Sequence, residues 1–247
     1  MIDLSIVLSV RNEEKFLGKC LESIKDIAGE IIVFDEKSTD KTPEIARKYK
    51  AKLFSVNHEE NFHITKQKAI EKATKKWILQ LDADEVVSLE LKKEITQIIK
   101  SDPPENGFWI PRSNFCLGRF LKKGGTYPDY TLRLYRNGEG KLPCKSVHEQ
   151  AEVEGKVGFL KNDLLHFADE SFERYISRWN RYTDLQAKGV KGGFITNIFI
   201  KPLFDSLQGF ITIYFRHLGF LDGLPGFIWA LFSALTIPIS YFKSKER

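Results

Sequence analysis

The chain has 247 residues, room for one sizeable domain or a domain with an appendage. Thirty-eight Lys and Arg against 33 Asp and Glu leave a net charge of +5, too mild a surplus to argue for a nucleic-acid partner. With 42% hydrophobic and 29% charged residues, the composition excludes a disordered or collagenous chain. The averages conceal a division. Residues 194–242 hold 29 hydrophobic side chains in 49 and only four charges, Lys201, Asp205, Arg216 and Asp222.

Cys20, Cys116 and Cys144 are odd in number and form no CxxC pair, which argues against a disulfide framework or a zinc ribbon and fits a reducing compartment. Met1-Ile2-Asp3 leads straight into Leu4–Val10 with no basic or long apolar leader, so no removed signal segment is expected. The expected place of the charged body is the cytoplasm.

Short apolar runs alternate with helical patterns over the first hundred residues. Strands are predicted at Leu4–Val10, Glu30–Phe34, Lys52–Val56 and Trp77–Leu81, and helices at Glu13–Lys25, Thr42–Tyr49, Ile64–Lys75 and Leu89–Lys100. Such runs without polar alternation suit strands covered on both faces. Their order predicts an α/β, doubly wound and mostly parallel sheet. After the turn-rich Ser101–Gly107, strands are predicted at Phe108–Pro111, Tyr130–Tyr135 and Lys156–Leu160, then a helix at Glu173–Lys188.

In an open parallel sheet, ligands sit beyond the carboxyl ends of the strands. Three predicted strand ends carry polar clusters: Arg11–Glu14, Asp35–Asp40 and Asp82–Glu85. No GxGxxG or GxxxxGK[ST] turn is present, which removes the usual dinucleotide and P-loop patterns. Asp82-Ala83-Asp84 is the sharpest feature. Two carboxylates two residues apart suit a hard divalent cation, and such a cation neutralises a departing phosphate. The plainer alternative is an acidic N-terminus for the helix starting near Leu89, a part that Glu85 also fits.

Leu4–Asn12, Phe34–Asp40 and Leu81–Glu85 resemble the three signatures of family 2 glycosyltransferases with a GT-A fold. Ile110-Pro111-Arg112, Leu117-Gly118-Arg119, Gly124–Tyr130, Leu132–Arg136, Val147-His148-Glu149 and Gly219–Gly223 extend the likeness to the subgroup of the lipopolysaccharide core β-1,4-glucosyltransferase. The resemblance implies a GT-A catalytic domain over 1–192, with a nucleotide-binding half (1–100) and an acceptor half (101–192). A membrane-associating helical extension over 193–247 would follow. It implies that Val10 and Arg11 line the nucleotide pocket, Asp35 binds the base, and Lys66 and Asp82 contact the donor. Asp84 would ligate Mg²⁺ or Mn²⁺ on the diphosphate of a UDP-sugar. Lys37 stands where relatives have glycine, a residue that adopts positive φ freely.

Inverting transfer needs a base for the acceptor hydroxyl. The resemblance offers Asp129, with Glu149 as competitor; His148 would complete the metal shell, and Arg133 and Arg136 would meet diphosphate or an acceptor phosphate. Gly223–Phe242 is twenty residues without a charge, long enough to span a bilayer, with Pro225 and Pro238 expected to break it near both ends. Three arrangements are open: helices lying in the plane of the inner leaflet, a single span, or a buried hairpin. Membrane seating suits a glycan or lipid-linked acceptor. Two other functions fit parts of the sequence. One is a haloacid-dehalogenase-type phosphatase with Asp82-Ala83-Asp84 as its motif, and the other is a non-catalytic, membrane-anchored nucleotide-sugar-binding module.

Overall fold

In the strand Leu4–Val10 (β1), Leu4, Ile6, Leu8 and Val10 enter one apolar cluster while Val7 enters another on the opposite face. A strand buried on both sides has no polar face to show, which is why its sequence runs apolar without alternation. The computed structural model describes residues 2–59, 61–145, 149–189 and 200–246.

The first half continues through α1 (Leu17–Ile24), β2 (Glu30–Asp35), α2 (Thr42–Lys48), β3 (Lys52–Ser55), α3 (Phe62–Ile70), β4 (Trp77–Leu81), β5 (Glu85–Val87) and α4 (Leu89–Ser101). Strands β3, β2, β1 and β4 lie side by side and parallel, with Val10 opposite Asp35 and Leu8 opposite Leu81. Helix α1 starts at Leu17, later than expected, because the Glu13 carbonyl accepts from the N–H groups of both Phe16 and Leu17 in a tight turn. Asn61 caps α3 by accepting from His63 N, and Ser88 caps α4 by accepting from Leu91 N.

The second half is mixed rather than parallel. It contains β6 (Gly107–Cys116), β7 (Arg119–Phe120), β8 (Asp129–Arg136), β9 (Gly140–Lys141), β10 (Glu152–Val153), β11 (Val157–Phe159) and β12 (Leu164–Asp169). Strand β8 pairs antiparallel with β4, and the row continues β8-β6-β12-β5. Neither β5 nor β12 is predicted from the sequence.

The chain divides into two compact units. The first comprises residues up to Arg112 together with Tyr130–His166; the second comprises Ser113–Asp129 and the chain from Phe167. The expected boundary at 192/193 lies outside the described residues. In the second unit α5 (Phe172–Gly189) precedes α6 (Ile200–Ile211), a π-helical turn (Thr212–Arg216), a 3-10 turn (Gly219–Asp222) and α7 (Gly223–Lys245). Helix α7 runs through Pro238, so the expected break is absent there. A proline deletes one donor and crowds the carbonyl four residues back, and contacts to α5 on both sides hold the helix. Trp179 Nε1 donates to Thr236 Oγ1 (2.8 Å), and Lys243 pairs with Asp184 (2.9 Å).

At the opposite end of β2 from Asp35, Glu30 accepts from Ser5 Oγ (2.5 Å), Thr74 N (2.7 Å) and Lys52 Nζ (2.6 Å). Burial pushes its pKa up, but these donors outweigh burial and bring it from 4.5 down to about 2. A lowered carboxylate pKa stabilises the fold above the unfolded value and loses that contribution as pH falls toward the folded one. Glu30→Gln should therefore lower stability by about 2 kcal/mol near neutral pH, after allowance for the solvent-exposed Lys52. Thermal melts of the two proteins should converge as the pH falls from 4.5 to about 2; a constant difference would rule this out.

Candidate active site

The carboxyl ends of β1 and β2 are laced together. Asn12 Oδ1 accepts from Thr39 N (2.8 Å), Asn12 N donates to Ser38 Oγ (2.8 Å), and Glu14 N donates to Asp40 Oδ2 (3.0 Å). Both turns need left-handed backbone: Asn12 has φ 55° and Lys37 φ 54°. Asparagine tolerates that region; Lys37 adopts it despite its Cβ, so the turn is kept where a glycine was expected. Val10 and Asp35 are buried at the strand ends, Arg11 is exposed, and both oxygens of Asp35 receive Ser38 N at 3.3 Å.

Past the end of β4 the chain folds back on itself between Asp82 and Glu85. Glu85 N donates to Asp82 O (3.0 Å), and Asp82 N donates to Glu85 Oε2 (2.9 Å). Cys20 of α1 supports the turn, its Sγ 3.6 Å from Asp82 O. Burial raises the Cys20 thiol pKa, with Glu85, Asp84 and Asp82 adding to it, so this thiol is no nucleophile.

Two cations converge on Asp82. Lys66 of α3 pairs with Oδ1, and Arg133 of β8 donates to Oδ2 at 2.6 Å. Arg133 also reaches Glu85 Oε1 (2.8 Å), which Arg112 approaches at 3.5 Å. Burial raises the pKa of Asp82, but Arg133 and Lys66 outweigh it and hold the carboxylate well below its ordinary value. Glu85 is fully buried and bonded to Arg133. That sets aside its reading as a helix-terminal acid; Ser88 takes the capping role. Arg133 Nε is buried and meets no acceptor among the described residues, an orphaned donor that a ligand oxygen would satisfy.

Asp84 lies beside His166 of β12, with 3.6 Å between Oδ1 and Nε2. The pairing of β12 with β5, His166 opposite Glu85, brings them together. Sequence reasoning gave His166 no role. Leu164–Asp169 is apolar at both parities around it, so no period announces a strand, and the partner strand β5 reads as a turn. A carboxylate oxygen and an imidazole nitrogen form a donor pair that a divalent metal accepts. Two protein donors leave its other positions to phosphate oxygens and water, so these residues fit Mg²⁺ or Mn²⁺. Among the described residues no group of three metal-binding side chains occurs. His148 lies outside the described residues.

Arg136, Asp129 and Glu149 make contacts of their own. Arg136 sits opposite Trp77, at the start of β4 and so at the far end of the strand from Asp82. It bonds to the carbonyls of Pro103 and Glu105, pairs with Asp102 (2.8 Å) and covers the Trp77 ring. It lies three positions beyond Arg133, an odd step, so the pleat turns the two guanidinium groups to opposite faces. The expectation that Arg136 meets phosphate is corrected to a structural clamp. Asp129 belongs to the second unit, where Asn114 Nδ2 donates to its Oδ2 (3.1 Å). Glu149 belongs to the first unit, and its charge adds to the rise that burial gives the Cys144 pKa.

A β3-β2-β1-β4 parallel half with paired carboxylates at the β4 end, continued by a mixed half, defines a GT-A glycosyltransferase fold. Solved structures agree. PcManGT from Pyrobaculum calidifontis, in complex with GDP-Man and Mn²⁺, matches with a TM-score of 0.54 at 13% identity, over 98% of this chain and 74% of that one. S. aureus TarS 1-349 in complex with UDP-GlcNAc matches with a TM-score of 0.51 at 16% identity, over 95% and 81%. The family model Glycosyl transferase family 2 matches residues 5–149, and the chain belongs to that family, which displaces the phosphatase reading. It is 29% identical to the lipopolysaccharide core biosynthesis glycosyltransferase LpsC of Rhizobium meliloti, over 100% of this chain and 93% of LpsC. It is 26% identical to the uncharacterized glycosyltransferase RT0209 of Rickettsia typhi, over 100% and 88%.

Proposed function

We propose that the protein is an inverting, metal-dependent glycosyltransferase. It moves a hexose from a UDP-sugar to a glycan or lipid-linked saccharide of the cell envelope, at the cytoplasmic face of a membrane. The observation that carries the reading is Asp82 held between Lys66 and Arg133, with Asp84 and His166 beside it. The full-length likeness to LpsC supports the envelope acceptor, and the nucleotide-sugar complexes of PcManGT and TarS support the donor class.

Asp35, Val10 and Arg11 would seat the nucleoside at the ends of β1 and β2. Asp82 would orient the donor ribose or sugar, its own position fixed by two cations, and the Arg133 Nε donor would turn to a donor oxygen. Because Lys66 and Arg133 are already paired with Asp82 and Glu85, they supply little surplus charge for a diphosphate. Bound by Asp84 and His166, Mg²⁺ or Mn²⁺ would neutralise that diphosphate as it leaves. His148 stands as a further proposed donor to the metal.

Asp129 or Glu149 would take the proton of the acceptor hydroxyl. The acceptor oxygen bonds to sugar C1 as the C1–O bond to the nucleoside diphosphate breaks, and attack from the opposite face inverts the anomeric centre. Proton NMR of the first-formed product tests this: inversion is expected, and retention would overturn the mechanism. Thermal-shift measurements with Mn²⁺ and UDP-, GDP- or dTDP-sugars should give the largest rise with a UDP-sugar, since only ligands favouring the folded state raise its melting temperature. A larger rise with GDP-sugars would overturn the donor assignment.

A further inference from the structure

The apolar surface of the second unit is concentrated at one end. Along α6, Leu203, Leu207 and Ile211 recur every fourth residue and Phe215 in the π-helical turn follows, with 58, 59, 49 and 56% exposure. Phe220, Leu221 and Leu224, where the chain turns into α7, are 43, 53 and 69% exposed. A soluble monomer rarely leaves so many large side chains together in water.

The far half of α7 has a different setting. Trp179 bonds to Phe232 O and Thr236, Ser240 to Gln186, and Lys243 to Asn180, Thr183 and Asp184. These contacts tie α7 along α5, whose Glu173, Arg181 and Lys188 are exposed. Gly219–Lys245 is long and apolar enough to cross a membrane by length and composition. A crossing would nevertheless carry the charged face of α5 into hydrocarbon, at high cost.

Cations border the apolar end. Arg216 lies in the π-helical turn itself. Asp222, buried, accepts from Lys122 N (2.9 Å) and Lys123 N (2.7 Å) and pairs with Arg119 at 3.5 Å. Gly124 N donates to His217 O (2.9 Å). The side chains of Arg119, Lys123 and Arg216 are exposed there, Lys122 Nζ turns back to Ser113 Oγ at 2.9 Å, and the Asp222 carboxylate that pairs with Arg119 is inside the protein. An apolar wedge ringed by cations is complementary to one leaflet of an anionic bilayer.

We propose that the α6 stripe and the turn into α7 form a monotopic seat, inserting into a single leaflet of an anionic membrane without α7 crossing it. This rests on the membrane-facing part of the function proposed above and specifies its mode. The test uses the full chain with vesicles of phosphatidylcholine, alone or mixed with phosphatidylglycerol. Sedimentation should show binding to the mixed vesicles. Leu207→Glu combined with Phe215→Glu should weaken it by about tenfold or more, and Arg216→Ala by about fivefold. Circular dichroism melts confirm that the variants fold. A Ser244→Cys variant bound to sealed vesicles should label fully with a membrane-impermeant maleimide added outside.

Protection of that thiol would show a span and overturn the seat. So would failure to bind mixed vesicles, or a wild-type dimer in light scattering that L207E/F215E dissolves without any vesicle binding. Hydrolysis of UDP-sugar is followed in parallel and should be unchanged in the seat variants. Its absence from the wild type would count against the enzymatic reading, while vesicle binding would still decide the seat.

Discussion

Asp84→Ala should lower sugar transfer by about a hundredfold to a thousandfold and remove the extra thermal stabilisation that Mn²⁺ gives in the presence of UDP. The reason is the small donor set. With Asp84 and His166, 3.6 Å apart, as the proposed protein donors, loss of the carboxylate would leave an imidazole alone to hold the ion. His166→Ala should act in the same direction, with a smaller loss, because a hard cation depends more on carboxylate oxygen than on nitrogen. Both variants should fold normally, since neither side chain carries the apolar core of the sheet. Differential scanning fluorimetry with UDP, with and without Mn²⁺, is the direct check. An undiminished Mn²⁺ effect in Asp84→Ala would show that the ion binds elsewhere.

Arg133→Met is expected to combine a loss of stability with a loss of activity, and a second substitution can separate the two. In the wild type one guanidinium serves Asp82 and the fully buried Glu85. Removing it strands a buried charge, with Arg112 at 3.5 Å as the remaining cation on Glu85, and breaking a buried pair from one side costs about 3–5 kcal/mol. Arg133→Met with Glu85→Leu removes the stranded charge as well and should recover most of that loss in urea or thermal melts. Transfer should stay low in the double variant, because Asp82 has lost the cation on its Oδ2 and the orphaned Nε donor is gone. Recovered activity would mean that Arg133 acts only on the fold. Arg133→Lys is not equivalent, since a single ammonium lacks the fork that spans both carboxylates.

The parallel half was legible in the sequence because its physics is local. Leu4–Val10 and Trp77–Leu81 are strands buried on both faces, and their bounds follow from where the apolar runs stop. The Asp82-Ala83-Asp84 turn was legible for the same reason: acids directly after a buried strand mark the edge of the sheet. What surrounds those acids was less so. Lys66 was foreseen only through family likeness, and Glu85 was read as a helix-terminal acid when its partner is Arg133, 48 residues away. Long-range pairing also hid His166, which owes its place beside Asp84 to the β5–β12 ladder. Arg136 shows the converse. On its strand it resembled Arg133, but the pleat and the Trp77 register send it to the other end of the sheet.

Asp222 fastens the loop before β8 to the root of α7, and Asp129 opens β8 within that same compact unit. A seated chain would therefore hold Asp129 at a set height over the lipid phosphates, as a spacer holds a blade above a table. If Asp129 is the base, an acceptor would be chosen partly by how far its reactive hydroxyl stands from its lipid anchor. Sugars added earlier in the chain's growth would lie too low, and those added later too high.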